Sequence, residues 1–186
     1  VIYSQRKTVD ILVALNRETI DKHKDELALN AAVLYDPSEV KVSPDEFSTD
    51  KILIPIPLID MIKELKVDRL MINTITVGAS LALFSDHYEI LHKMMEETFG
   101  AKGEDIVEIN SKTSRTGFEF VKKHPKKFHI QIEKKEQKSL LISGAESMSL
   151  GAIKAGVKFV AIYPMTPING ILTTISAHAL DYNIVI

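Results

Sequence analysis

The chain has 186 residues, of which 45 % are hydrophobic and 26 % charged, with a formal net charge of −2, as expected for a globular protein. It contains no cysteine, which excludes disulfides, cysteine nucleophiles and thiolate ligation of metals by this chain. It also lacks a long apolar run, a basic segment leading into one, and a broad basic face with aromatic residues, so we expect no membrane span, no secretion and no nucleic-acid binding.

The first third of the chain alternates short apolar runs with helical patterns, which is typical of α/β proteins. Three apolar runs predict buried strands, at residues 9–15, 32–35 and 51–56. Asn16 is placed to cap a helix over residues 17–29, and Pro57 can open a second helix with Leu58 and Ile62 on its apolar face.

The sequence between residues 73 and 122 predicts three successive helices. Residues 73–84 are small and apolar, and Asn73 is predicted either to cap this helix plainly or to leave its N–H groups for a phosphate. Asp86 and Glu89 have the spacing of a capping box for the next helix. Residues 104–122 predict another helix.

A change in composition divides the chain. Residues 128–133 alternate and predict an edge strand or an arm, and the charged residues 134–139 predict a linker between domains at 1–133 and 140–186. The last part predicts strand, helix, strand, helix and strand at residues 140–143, 146–155, 159–163, 167–180 and 183–186. This βαβαβ order predicts parallel pairing, and the apolar last run suggests that the natural chain is longer.

The loop at residues 163–167 follows a predicted strand, where parallel sheets bind ligands. Pro164 and Pro167 fix their own φ angles and restrict Tyr163 and Thr166, with Met165 between them. Such a stiff loop can hold the Thr166 hydroxyl ready for a ligand near a helix N-terminus, which favours anions. On physical grounds alone, the pattern favours a rigid connector without a ligand, because proline-bounded loops are common.

The glycines, histidines and carboxylates elsewhere in the chain give weaker indications of a functional site. Gly144 allows a tight turn into a helix, and Gly151 and Gly156 suit close packing and a helix end. The six histidines form no HExxH pattern, and no paired carboxylates stand out, so no metal site is expected.

Together these segments resemble the 2-oxoacid:ferredoxin oxidoreductases. The glycine-containing helix and the Tyr-Pro-x-Thr-Pro loop, residues 144–167, resemble the start of the alpha part of that family, and residues 9–16 and 73–79 resemble its gamma domain, as do Phe99 and Asn110. The resemblance implies a fused chain: a Rossmann-like gamma domain followed by the first βαβαβ of a thiamine-diphosphate-binding-type parallel-sheet domain.

The resemblance also implies a reaction, the oxidative decarboxylation of a 2-oxoacid with coenzyme A to acyl-CoA, CO₂ and reduced ferredoxin. Thr166 would be the catalytic residue that contacts the substrate carboxylate, with Tyr163 beside it. Pro164, Met165 and Pro167 would shape the thiamine pocket. The family often has Asn where this chain has Ala145, so no polar contact is expected from that position.

The implied cofactors are thiamine diphosphate with Mg²⁺ at the interface with a beta subunit, and a 4Fe-4S cluster on that subunit, without which this chain is expected to be inactive. The implied partners are the beta subunit, ferredoxin, a 2-oxoacid and coenzyme A in a cytoplasmic homo- or hetero-oligomer. 2-Oxoglutarate or broad specificity is preferred over pyruvate. The alternative is a non-catalytic α/β adaptor or nucleotide-binding module.

Overall fold

The structure is a computed structural model that describes residues 7–124, 128–132 and 142–186. These residues belong to two compact units, one before and one after residues 133–141. The predicted linker at 134–139 and the first two positions of the predicted strand at 140–143 lie outside the described residues.

The first unit is built on a parallel sheet in which β2 is central. Its strands are β1 (Val9–Ala14), β2 (Leu27–Tyr35) and β3 (Ile52–Pro55), in the order β1-β2-β3. Val33 pairs with Leu12 on one side and with Leu53 on the other. Residues at the middle of β2 are fully buried, which is why these strands are continuous apolar runs. The three predicted strands are confirmed.

The predicted helix over residues 17–29 is wrong in its second half. Asn16 caps α1 (Arg17–His23) as predicted, its side chain accepting a hydrogen bond from Thr19 N at 2.9 Å. A 3₁₀ turn at Lys24–Glu26 then ends the helix, and β2 starts at Leu27. The backbone of Val9 pairs with Leu27, so sheet formation overrides the helix propensity of this stretch.

Four helices complete the first unit: α2 (Leu58–Leu65), α3 (Ile72–Phe84), α4 (Tyr88–Phe99) and α5 (Glu104–Lys122). One apolar core joins the sheet to these helices and includes Ile54, Ile75, Leu91 and Phe118. Residues 128–132 form an arm rather than a strand, with Ile132 N donating to Phe84 O at 2.7 Å.

Three predicted helix starts need correction. Pro57 is the N-cap of α2 and not its first helical residue. Asn73 is the second residue of α3, because a 3₁₀ turn at Arg69–Met71 leads into the helix and makes Met71 the N-cap. The predicted capping box at Asp86 is also wrong, because His87 is the N-cap and its N–H donates to Ser85 Oγ at 3.1 Å.

Helices α3 and α5 cross with their backbones in contact. A Cβ atom at Gly78 would lie 1.8 Å from Ser114 O, and one at Gly117 would lie 2.1 Å from Ile75 O. The two glycines therefore set how closely the helices approach, and no larger residue fits either position without moving a backbone.

The second unit contains α6 (Gly144–Lys154) and α7 (Thr166–Tyr182). Ser143 and Glu146 form a capping box at the start of α6, and Gly156 follows its end with a φ of 86°, a conformation that favours glycine. An isolated parallel bridge joins Phe159 to Val185, with Val160 N donating to Val185 O at 2.9 Å.

The predicted parallel pairing is thus present at one position, but full strands at 159–163 and 183–186 are not formed. Phe159 and Val185 remain exposed in this unit. Parallel strands need cover on both faces, and the described residues of this unit provide little of it. None of the helices in the described ranges combines the length and apolar character needed to cross a membrane.

Candidate functional sites

The loop predicted to bind a ligand lies at the start of α7. Thr166 is the first residue of this helix, and Met165 is its N-cap with an extended backbone (φ −138°, ψ 155°). Tyr163, Pro164, Met165, Thr166 and Pro167 are all exposed, and 80 % of the Tyr163 surface is open to solvent. The structure thus presents all five predicted residues together on one surface turn.

In the first turn of α7, one side-chain donor is available for an anion. The N–H groups of Ile168 and Asn169 are directed back to Met165 O at 3.0 and 3.1 Å. In contrast, the Thr166 hydroxyl makes no hydrogen bond within the described residues. A hydroxyl donor near the positive end of a helix is suited to a carboxylate.

A second candidate site is a cleft at the carboxyl ends of β1, β2 and β3, with a volume of about 420 Å³. In open parallel sheets this edge is where ligands gather. Its lining combines apolar side chains with three carboxylates and one arginine: Leu15, Asp36, Glu39, Leu58, Ile59, Asp68, Arg69, Leu70, Ile72 and Asn73.

Asp36 is the most constrained of these residues, with 3 % of its surface exposed. Its Oδ1 accepts hydrogen bonds from Ser38 N at 2.8 Å and Ser38 Oγ at 2.7 Å, and its Oδ2 accepts one from Ile59 N at 2.8 Å. Burial by itself would raise the pKa of Asp36, but these hydrogen bonds outweigh it and hold the pKa below its usual value. The carboxylate therefore joins β2 to the start of α2.

The other charged groups of the cleft are paired too. Arg69 donates to Glu39 Oε2 at 3.0 Å, and Asp68 Oδ1 accepts a hydrogen bond from Leu70 N at 2.8 Å. Among the residues that the structure describes, no group of three or more histidine, aspartate or glutamate side chains could hold a metal ion.

This cleft was not predicted from the sequence, although Asn73, which lines it, was a predicted candidate. Asp36 directly follows the strand that was predicted at residues 32–35. The signal was present, since a polar residue directly after a buried parallel strand lies at the edge where ligands bind. The 3₁₀ turn that brings Arg69 and Leu70 to the cleft had no such signal.

The structure is thus an α/β protein with one candidate cleft at the carboxyl edge of a parallel sheet and one proline-bounded loop at a helix start. The family model described as pyruvate ferredoxin/flavodoxin oxidoreductase matches residues 1–120. The chain belongs to this family. The resemblance to 2-oxoacid:ferredoxin oxidoreductases and the α/β class are thereby confirmed.

Two solved structures are similar to the chain. The 2-oxoglutarate:ferredoxin oxidoreductase from Magnetococcus marinus, with 2-oxoglutarate, coenzyme A and succinyl-CoA bound, is 27 % identical with a TM-score of 0.81 over 98 % of this chain. The chain spans 32 % of the length of that relative. The gamma subunit of a keto/oxoacid ferredoxin oxidoreductase from Geobacter sulfurreducens is 23 % identical with a TM-score of 0.48, covering 60 % of this chain and 63 % of its own.

Proposed function

We propose that the chain is part of a 2-oxoacid:ferredoxin oxidoreductase that oxidises a 2-oxoacid with coenzyme A to acyl-CoA, CO₂ and reduced ferredoxin. Family membership supports this proposal, as does the likeness to an enzyme described with 2-oxoglutarate and coenzyme A bound. The same likeness makes 2-oxoglutarate the preferred substrate over pyruvate. The proposal includes a cytoplasmic location and assembly with a beta subunit and ferredoxin.

The observation that carries the proposal for this chain is the exposed hydroxyl of Thr166 at the first position of α7, which makes no hydrogen bond within the described residues. We assign Thr166 to the substrate carboxylate: its O–H donates to a carboxylate oxygen while the helix N-terminus favours the negative charge. Tyr163 lies three residues earlier on the same turn and would contact the substrate from the side.

The loop at residues 163–167 is also the proposed contact with thiamine diphosphate. Pro164, Met165 and Pro167 offer an exposed, stiff and largely apolar surface that fits the ring of thiamine diphosphate. When bound, thiamine diphosphate would supply the carbanion chemistry that side chains cannot. The chain has no cysteine, so the 4Fe-4S ligands would come from the beta subunit, and we assign the Mg²⁺ and diphosphate ligands to that subunit as well.

The role of Thr166 is tested in the complete enzyme with Thr166→Ala, Thr166→Ser and, as a matched control, Thr173→Ala. Thr173 is an exposed threonine on the same helix whose hydroxyl donates to Asn169 O at 2.9 Å. Loss of a hydrogen bond to a charged group costs about 1.5–3 kcal/mol, so Thr166→Ala should lower kcat/KM for the 2-oxoacid by roughly 10- to 100-fold.

Thr166→Ser keeps the hydroxyl and should retain most of the activity, and Thr173→Ala should match the wild type. An unchanged kcat/KM in Thr166→Ala, or an equal loss in the Thr173 control, would contradict the assignment. A non-catalytic adaptor or nucleotide-binding module, the alternative, predicts no 2-oxoacid oxidation by the wild-type assembly.

A further inference from the structure

We propose that the contact between Ala145 of α6 and Gly170 of α7 positions the Thr166 hydroxyl for the substrate. The inference rests on the proposed function, in which Thr166 contacts the carboxylate of the 2-oxoacid. Ala145 and Gly170 are positioning residues in this inference. They set where the start of α7 lies, and they act on the reaction only through Thr166.

Gly170 lies at a close approach of the two helices of the second unit. A Cβ atom added to Gly170 would lie 2.9 Å from the Cβ atom of Ala145. Carbon atoms in ordinary contact are about 3.5–4.0 Å apart, so a larger residue at Gly170 must push the helices apart by roughly 0.5–1 Å. The Cβ atom of an alanine is attached directly to the backbone, so it yields only if a helix moves. The start of α6 is also fixed by the capping box of Ser143 and Glu146.

A buried hydroxyl joins the same parts of the two helices. Ser149 is fully buried, and its Oγ donates to Ala145 O at 2.8 Å and lies 3.3 Å from Ile171 O. Ile153 and Ile175, one turn further along each helix, continue the interface into the apolar core of this unit. The helices are therefore held together by small residues next to the start of α7 and by isoleucines behind them.

The face of α7 that meets α6 is the face that carries Thr166. Residues four apart lie above one another on a helix, so Thr166 and Gly170 share a face and are about 6 Å apart along the axis. Pro167, between them, fixes its own φ and stiffens this first turn. A displacement at Gly170 is thus passed on to Thr166. A shift of about 1 Å in a group that holds the substrate can slow a reaction by about 100-fold.

The contact is tested in the complete enzyme by moving one methyl group from α6 to α7. Gly170→Ala adds a Cβ atom to the contact, and the double variant Ala145→Gly/Gly170→Ala removes the Cβ atom that it meets. Gly151→Ala is the matched control, because Gly151 lies in α6 and its added Cβ would meet nothing within 4 Å among the described residues outside its own helix. Each variant is assayed for kcat/KM with the 2-oxoacid at a temperature well below its unfolding transition, which is recorded by circular dichroism.

We expect Gly170→Ala to lower kcat/KM by roughly 10- to 100-fold, and the double variant to recover to within about threefold of the wild type. Gly151→Ala should match the wild type. In the Thr166→Ala background, Gly170→Ala should cause less than about a threefold further loss, because the group that it displaces is already gone. A general structural defect would instead multiply the loss caused by Thr166→Ala.

The inference is overturned if Gly170→Ala keeps the wild-type kcat/KM or if the double variant stays as slow as Gly170→Ala. It is also overturned if the losses from Gly170→Ala and Thr166→Ala multiply. Should Gly170→Ala fail to fold, Ala145→Gly decides, because it loosens the contact without an overlap. A loss of about three- to tenfold that disappears in the Thr166→Ala background then supports the inference, and an unchanged kcat/KM overturns it.

Failure of the proposed function has a different signature. A wild-type assembly that does not oxidise any 2-oxoacid overturns both the proposed function and the positioning role. A wild-type assembly that is active, with any of the contrary results above, overturns the positioning role alone.

Discussion

At the scale of single residues, Asp36 shows how a buried charge can hold a fold together. Taking a carboxylate out of water is costly unless hydrogen bonds replace its hydration. Ser38 and the N–H of Ile59 provide them, and the latter would otherwise be an unsatisfied donor at the start of α2. One side chain therefore joins the end of β2 to a helix 23 positions away.

Asp36→Asn should lower the free energy of unfolding by about 1.5–3 kcal/mol at neutral pH, because charge-assisted hydrogen bonds are lost. Denaturant unfolding measures this change. Asp60→Asn is the control: its ion pair with Lys63, at 3.2 Å, is exposed, and the expected loss is below about 0.5 kcal/mol. Equal losses in both variants would contradict the role given to Asp36.

The same residue predicts a pH dependence. Its pKa is lower in the folded protein than the ordinary aspartate value of about 3.9, so its full contribution to stability is present above about pH 4. That contribution is lost as pH falls through the lowered pKa. Stability should therefore decline more steeply below pH 4 in the wild type than in Asp36→Asn. Identical acid slopes would refute the shift.

At the scale of elements, the crossing of α3 and α5 is decided by two glycines. Within a helix, glycine to alanine ordinarily stabilises by about 0.5–1 kcal/mol. At Gly78 and Gly117 an added Cβ would overlap a backbone oxygen of the other helix, and a backbone cannot move aside as a flexible side chain can. The sign of the effect should therefore reverse.

Gly78→Ala and Gly117→Ala should each lower the free energy of unfolding by about 1–3 kcal/mol or more. Gly100→Ala is the matched control, because Gly100 has a helical φ of −53° and nothing within 4 Å of its added Cβ. Thermal or denaturant unfolding of the three variants decides the question. Stabilisation at Gly78 would show that the helices separate easily.

At the scale of the whole molecule, the proposed role of the chain is to provide ligand-binding surfaces, without cysteine ligands for a redox cluster. It has no cysteine, and the roles proposed for its residues are to bind and orient ligands. The chain belongs to an oxidoreductase family and spans 32 % of a larger relative, and we propose that it works as part of a multi-subunit enzyme. In this proposal, electron transfer depends on a second polypeptide.

The chain purified alone should contain neither iron nor acid-labile sulfide and should not reduce ferredoxin, because it lacks thiolate ligands for a cluster. Co-purification with a cysteine-bearing beta subunit should bring both iron and 2-oxoacid-dependent ferredoxin reduction. Iron and sulfide assays check this directly. Ferredoxin reduction by the isolated chain would contradict the proposed division of labour.

The sequence alone predicted the three strands of the sheet, the seven α-helices in the part of the chain that the structure describes, and the loop that carries Thr166. These depend on local signals: uninterrupted apolar runs, the 3.6-residue period, and prolines that restrict their own backbone. The helix predicted over residues 24–29 is not formed. Val9 pairs with Leu27 in the sheet, and the local sequence pattern does not indicate this pairing.

Only the tertiary structure decided the cleft and the helix crossing. Asp36 is far in the chain from Arg69 and Asn73, and the three line one cleft because the turn that leads into α3 lies at the edge of the sheet where β2 ends. In the sequence, Gly78 and Gly117 are indistinguishable from other helix glycines. Their importance is visible only in the structure, where the backbones of α3 and α5 are in contact. Local sequence records the preferences of each segment, whereas contact between segments depends on packing, which exists only once the chain is folded.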